Sequence, residues 1–190
     1  MYMQKVEHIL KKSIEGELTA IAKYKKYAEI ALKAGFKGVA RLFRALAFAE
    51  TFHVKNHQRA LGESYTIEPK PELKDGIENI LMDAEKGETW EYKEMYPDFI
   101  SQLPKKPTED QPKLAKLSFE WARDVEKTHS ELIEKVLEIV KSGCDIENER
   151  IWVCVACGNI AFGQLPKGSC PICKHDLMFY KEIMEEFLNE

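Results

Sequence analysis

The chain has 190 residues, 28 Lys and Arg against 32 Asp and Glu, and a formal net charge of −4. That length admits one ordinary domain plus a small one, and the mild charge, with no Lys/Arg block interleaved with aromatics, argues against a nucleic-acid surface. No apolar run approaches the roughly 18 residues that a membrane helix needs, and the charged N-terminus "MYMQKVEHILKKSIEGEL" lacks the features of a secretion signal, so a reducing, cytoplasmic setting is expected.

Four long segments carry a 3.6-residue apolar period. The first runs from about Val6 to Lys33 through Leu10, Ile14, Ile21, Tyr24, Ala28 and Ala31, and Gly35 breaks it. The second runs from about Val39 to Leu61 through Leu42 and Leu46, with Gly62 in the usual position after a helix end. "ESYTIEPKPE" follows, and Pro71 suits the first turn of a third helix carrying Leu73, Ile77, Leu81, Ala84 and Met95 to somewhere near Pro97 or Leu103. After "PKKPTEDQP" a fourth helix is expected over about Lys113 to Lys141, with Leu114, Leu117, Val125, Ile133, Val136 and Val140 inward.

Four such helices imply a bundle. A helix of ~25 residues is roughly 38 Å long, and ten extended residues span at most about 36 Å, so the middle connection can run most of the bundle's length. One long crossover between helices two and three is the ferritin-like topology. Beyond Gly143 the character changes to short apolar pieces and Gly/Pro turns holding four cysteines. The expectation is a bundle over 1–146 and a small β-ribbon over 147–190, whose last piece, "KEIMEEFLNE", reads as a strand and a short helical tail.

The inward stripes contain acids. Glu17 lies between Ile14 and Ile21; Glu50 and His53 continue from Leu46; Glu88 and Glu91 continue from Ala84; Glu126 and His129 fall between Val125 and Ile133. The chain repeats itself weakly. Glu17 precedes Glu50-Thr-Phe-His53 by 33 residues, and Glu88 precedes Glu126-Lys-Thr-His129 by 38. Each half thus gives a lone Glu and a Glu-x-x-His pair whose members share a direction. One E-x-x-H is close to noise. Two at one level, each matched by a Glu on the preceding helix, fit a di-iron carboxylate bundle. Buried alone, Glu17, Glu50, Glu88, Glu91 and Glu126 would be very costly, and two divalent cations nearly neutralise them. Oxygen and imidazole donors suit iron or manganese. His53, at i+3 from Glu50, is the ligand candidate; His57 reads as an outer polar neighbour.

Cys154-x-x-Cys157 and Cys170-x-x-Cys173, with 12 residues between the pairs, read as a tetrahedral thiolate site. A neighbouring redox site favours iron there, although a recombinant sample could hold zinc. Cys144 stands alone.

The segments "EGEL", "AETFH", "GETWEYKEMYP", "EKTH" and "WVCVACG…CPICKH" together resemble the rubrerythrin family. The resemblance implies a ferritin-like di-iron domain joined to a rubredoxin-like Fe(Cys)4 domain. It also implies reduction of hydrogen peroxide to water, with electrons from rubredoxin or an NAD(P)H-dependent rubredoxin reductase. By motif position Glu50 and Glu126 would bridge the irons, Glu17 would hold one, and Glu88 with His129 the other. In the family one iron is held by the extra carboxylate, here Glu91, when oxidised, and by the histidine, here His53, when reduced. The weak repeat agrees that Glu91 is surplus, since Ala20 occupies the matching place. Tyr24 and Tyr96 match tyrosines that hydrogen-bond near the site. Asn159 and Ala161 depart from the usual rubredoxin-like knuckle. The resemblance further implies a homodimer in which one subunit's ribbon serves the other's di-iron site. Two other functions share these motifs: iron storage or sensing with a structural zinc ribbon, and an oxygen-activating oxidase.

Overall fold

The computed structural model describes residues 2–146 and 148–184. Four long helical segments form the bundle. α1 (Tyr2–Lys33) and α2 (Lys37–Leu61) are antiparallel neighbours across a short turn. α3 (Ile77–Trp90) continues through a π-helical turn (Glu91–Met95) into α4 (Tyr96–Ser101), and α5 (Asp110–Lys141) completes the bundle. α2 ends as its sequence suggests. Gly62 adopts φ 83° and returns its N–H to the Gln58 carbonyl, a conformation that costs glycine little.

The crossover follows α1. Tyr65 donates its hydroxyl to Glu15 at 2.7 Å, and the Lys74 N–H donates to the Tyr27 hydroxyl at 3.2 Å. Those anchors lie twelve residues apart on α1, about 18 Å along the axis. The third helix therefore starts later than Pro71: Pro71 and Leu73 belong to the crossover, and Leu73 is 45% exposed. Pinned along α1, this stretch has no core to face, so its apolar residue does not extend the helical stripe.

The fourth helix starts at Asp110 rather than Lys113, and its inward face differs from the expected one over its first turns. Leu117 is 42% exposed and Leu114 half-buried. Ala115, Phe119 and Ala122 face inward there, while Val125, Ile133, Val136 and Val140 are buried as expected. Small alanines hold the close-packed positions, so the largest apolar side chains do not mark the phase of this helix.

The C-terminal unit is a three-stranded antiparallel sheet in the order β2–β1–β3: β1 (Ile151–Cys154), β2 (Ile160–Phe162) and β3 (Tyr180–Glu182). Val153 lies opposite Ile160 on one side and Lys181 on the other. The expected terminal strand is present; the expected helical tail falls on residues 185–190, outside the described residues. The sheet continues the bundle's core. Ile151, Val153, Ile160 and Ile183 join one apolar cluster with Leu42, Phe43 and Ile133. A second cluster at the far end gathers Leu10, Ile14, Tyr96 and Phe119. The acids and histidines lie between the two.

The junction is tied to α2. α2 has no cap from its own sequence; Asp145, beyond α5, accepts from the Gly38 and Val39 N–H groups at 2.8 and 3.1 Å. Arg41 donates to the Glu149 carbonyl at 2.6 Å. Such a remote cap does the work of a local one. Asp145→Ala is expected to lower stability by about 1–2 kcal/mol in urea denaturation, and Asp145→Asn, which keeps an acceptor, by less.

Candidate metal centres

The E-x-x-H spacing brings Glu50 and His53 of α2, and Glu126 and His129 of α5, to one level of the bundle. Glu17 arrives from α1 and Glu88 from α3, and all six are buried. His53 Nδ1 faces Glu50 Oε2 at 2.6 Å and Glu126 Oε1 at 2.8 Å, with Glu17 Oε1 at 3.8 Å. His129 Nδ1 faces the other oxygens of the same two carboxylates, Glu126 Oε2 at 3.1 Å and Glu50 Oε1 at 3.7 Å, with Glu88 Oε2 at 3.3 Å. Glu50 and Glu126 each therefore turn one oxygen to either histidine. The donors fall into two groups, Glu17–Glu50–His53–Glu126 and Glu50–Glu88–Glu126–His129, each with its atoms within 4.8 Å of one another. The imidazoles stack at 6.2 Å between centroids.

The donor atoms test whether cations fit. Both oxygens of Glu50 and of Glu126, Glu17 Oε2 and His53 Nδ1 are buried without a hydrogen-bond partner. Buried polar atoms are ordinarily paired, and leaving this many unpaired in one space is prohibitively costly. Two cations held among these residues would satisfy all of them. The outer atoms are already engaged. Tyr24 donates to Glu88, and Tyr96 donates to Glu17.

Both histidines are prepared by the C-terminal unit. His53 Nε2 lies 3.0 Å from the Cys157 carbonyl and His129 Nε2 3.2 Å from the Gly158 carbonyl. A carbonyl only accepts, so each Nε2 carries a hydrogen and Nδ1 is the nitrogen that faces the acids; Nδ1 is therefore the atom that would give up its proton to a cation. Asn56 donates to the Ala156 carbonyl, and Thr128 to Asn159, whose amide donates to the Tyr180 hydroxyl. Gly158 (φ 88°) lies against α2: a Cβ there would be 2.9 Å from His53 Nε2 and 3.0 Å from the Ala49 carbonyl. The ribbon thus docks on the paired site of its own chain, whereas the resemblance implied docking across a dimer.

The four cysteines form the second centre. The Cys154–Cys173 and Cys157–Cys170 sulfur pairs are each 3.7 Å apart. That is far beyond the ~2.05 Å of a disulfide and near the ~3.8 Å edge of a tetrahedron with ~2.3 Å metal–sulfur bonds. Val125 and Trp121 of α5 pack against the cluster.

Glu91 is the exception among the expected ligands. It begins the π-helical turn, is only half-buried, and belongs to neither donor group. Burial and the charges of Glu17, Glu126, Glu88 and Glu50 push its carboxyl well above the usual range. π-turns inside α-helices are frequent at functional sites, and this one leaves consecutive residues, Met95 and Tyr96, both buried. Sequence reasoning missed Gly158, Asn56, Thr128 and Asn159 as docking residues. Of these Gly158, directly after a knuckle cysteine, and Asn159, which departs from the usual knuckle, carried a visible signal.

Fold and donor sets define a ferritin-like carboxylate–histidine protein with an attached four-cysteine ribbon. A family profile described as Rubrerythrin matches residues 8–137, and the chain belongs to the rubrerythrin family. It is 29% identical to rubrerythrin-2 of Clostridium acetobutylicum over 168 residues, 86% of this chain and 89% of that protein. It is 30% identical to nigerythrin of Nitratidesulfovibrio vulgaris, over 86% of this chain and 79% of that protein. A solved structure titled as a mixed-valence state of nigerythrin superposes with a TM-score of 0.80 at 27% identity, covering 93% of this chain and 86% of that one. The fold is nigerythrin-like with a rubredoxin-like C-terminal unit, and both donor clusters fit the iron cofactors of a rubrerythrin.

Metal-free protein should show the charge problem as a pH dependence. Burial, then Glu126, push the Glu50 carboxyl up to about 8 from an ordinary value near 4.5. Burial pulls His129 down, but Glu126 and Glu88 outweigh it and raise it to about 10 from 6.5. Both groups hold protons in the folded chain that the unfolded chain releases at lower pH, so folding becomes less favourable as pH rises through these windows. The metal-free protein is expected to melt at a lower temperature at pH 9 than at pH 5. Metal loading replaces those protons and should flatten the dependence while releasing acid to the medium; calorimetry with and without metal checks both.

Proposed function

We propose that this chain reduces hydrogen peroxide, H2O2 + 2 e⁻ + 2 H⁺ → 2 H2O, with electrons delivered singly through the four-cysteine site. One observation carries this reading: consecutive carbonyls beside Cys157 accept hydrogen bonds from both histidines of the paired site. A storage protein with a structural ribbon has no need of that contact. When bound, iron supplies the redox chemistry of both centres.

The protein's own groups do the rest. Glu50 and Glu126 would bridge two cations, Glu17 and His53 would hold one, and Glu88 and His129 the other, with Glu91 available to exchange for His53. Cys154, Cys157, Cys170 and Cys173 would hold the third. Tyr24 and Tyr96 fix Glu88 and Glu17 in place. The apolar clusters above and below keep bulk water from the donors. Glu91, half-buried and outside both donor groups, would hand a proton to a departing peroxide oxygen.

The reading treats 1–146 as the ferritin-like unit and 147–190 as the rubredoxin-like one, working in a reducing cytoplasm where thiolates persist. The external donor would be rubredoxin or an NAD(P)H-dependent rubredoxin reductase. No helix among the described residues is long and apolar enough to cross a membrane. A homodimer is part of the reading, although bringing the two centres together does not require one.

Iron-loaded protein with a reduced rubredoxin-type donor is expected to consume one peroxide per two donor electrons; no turnover in fully loaded protein would refute the proposal. A colourless, zinc-holding ribbon in protein from its native host would favour storage instead. Glu91→Ala should lower turnover by about 100-fold, the scale of one general acid, with the ferric thiolate spectrum intact. Gly158→Ala should push the knuckle off His53 and slow re-reduction of the paired site by about tenfold or more, measured by stopped flow, leaving that site's first oxidation by peroxide unchanged.

A further inference from the structure

The bundle closes unevenly around its site. α1 packs broadly against α2, α2 against α5, and α5 against α3, whereas α1 and α3 barely meet. Lys23 and Tyr27 of α1 reach Asp83 of α3 at 3.0 and 2.7 Å and tie the two helices together on one side of the gap. Below them lies a cavity of about 430 Å³ whose walls include Gly16, Thr19 and Ala20 of α1 and Gly87 of α3, with Tyr24 and Glu91.

Three observations give this cavity a direction. A Cβ added at Gly16 or at Gly87 would meet nothing within 4 Å, so both helices face open space there. Two of the lining residues adjoin the paired site: Tyr24 donates to Glu88, and Glu91 begins the π-helical turn that follows Glu88 on the same helix. The opposite face of the site is shut, because the peptides of Cys157 and Gly158 lie directly on His53 and His129.

We propose that small uncharged solutes, hydrogen peroxide among them, reach the paired site through the seam between α1 and α3, across Gly16 and Gly87 and past Glu91. Electrons and substrate then use opposite faces. The ribbon covers the side where a one-electron centre is needed and leaves the other to solvent. Three unlike features meet in this seam: a helix pair that does not close, glycines at its lip, and a half-buried acid at its floor. The inference rests on the reading of the paired site as a reactive centre.

The test uses the full-length, iron-loaded, reduced protein and nitric oxide, a small neutral probe whose binding to ferrous iron is read by visible absorption without turnover. Leucine is a better helix former than glycine, and both positions have room for it. The double variant Gly16→Leu/Gly87→Leu is expected to slow nitric oxide binding and single-turnover oxidation by peroxide by the same factor, about tenfold, an added barrier of about 1.4 kcal/mol. Iron content and the ferric thiolate spectrum should not change. Unchanged nitric oxide binding in the iron-loaded double variant overturns the route, whatever its peroxide activity. Nitric oxide binding that slows in a protein that never reduces peroxide upholds the route and refutes the peroxidase. Should the double variant not load iron, Gly87→Ala alone decides, with a smaller slowing expected and none overturning the proposal.

Discussion

Burying carboxylates at the middle of a helical bundle is the constraint on which the rest of this structure depends. Glu17, Glu50, Glu88 and Glu126 are removed from water, and most of their inward oxygens find no protein partner. The bundle cannot be stabilised by this layer; it is stabilised by the apolar clusters on either side, which are large enough to hold four acids at one level. Protons offer an incomplete remedy. Burial pushes Glu50 and Glu88 up, while the histidines beside Glu126 outweigh its burial and hold it low, so the acids do not neutralise together. Divalent cations would solve the layer's problem in one step, because Glu50 and Glu126 each already turn one oxygen to either histidine.

The same constraint explains why the small C-terminal unit is part of the bundle's core rather than an appendage. Its strands add Ile151, Val153 and Ile160 to the larger apolar cluster, and its knuckle supplies the carbonyls that fix the hydrogens of His53 and His129. Docking of the ribbon and orientation of the two histidines are thus coupled through the same contacts. Gly158 is where the coupling is tightest, since no side chain fits between that peptide and α2.

Most of this was legible in the sequence for a definite reason. A buried acid breaks an apolar stripe, and two Glu-x-x-His pairs with matching lone acids are an improbable accident. The four helices, the long crossover and the cysteine ribbon followed from periodicity, a proline-marked connection and cysteine spacing. What escaped depended on contacts rather than pattern. Leu117 looked inward because it is large and apolar, while Ala115 and Ala122, which are inward, look like nothing. Pro71 looked like a helix start because the anchors that hold the crossover along α1, Glu15 and Tyr27, lie some fifty residues away. The π-turn at Glu91 has no signature in residue type, so the i+3 spacing from Glu88 placed Glu91 deeper than it lies.

His53 and His57 show how far such remote partners decide chemistry. They lie one turn apart on the same face of α2, and both are buried. His53 Nε2 meets the Cys157 carbonyl, 104 residues away, which only accepts; Nε2 must carry a hydrogen, and Nδ1 is the nitrogen turned to the acids. His57 Nδ1 meets the Ser118 hydroxyl, whose own hydrogen is given to the Ala115 carbonyl, so Nδ1 must carry the hydrogen there. That leaves His57 Nε2 as an acceptor 3.0 Å from the Tyr96 hydroxyl, which also lies against Glu17. One hydroxyl hydrogen then serves two acceptors, and His57 competes with Glu17 for it instead of offering a free nitrogen to a cation. A carbonyl and a serine therefore sort the two histidines into a ligand candidate and a support for Tyr96, the same division that the i+3 spacing from Glu50 suggests. The carbonyl and the serine each belong to an element that reaches α2 only when the chain is folded.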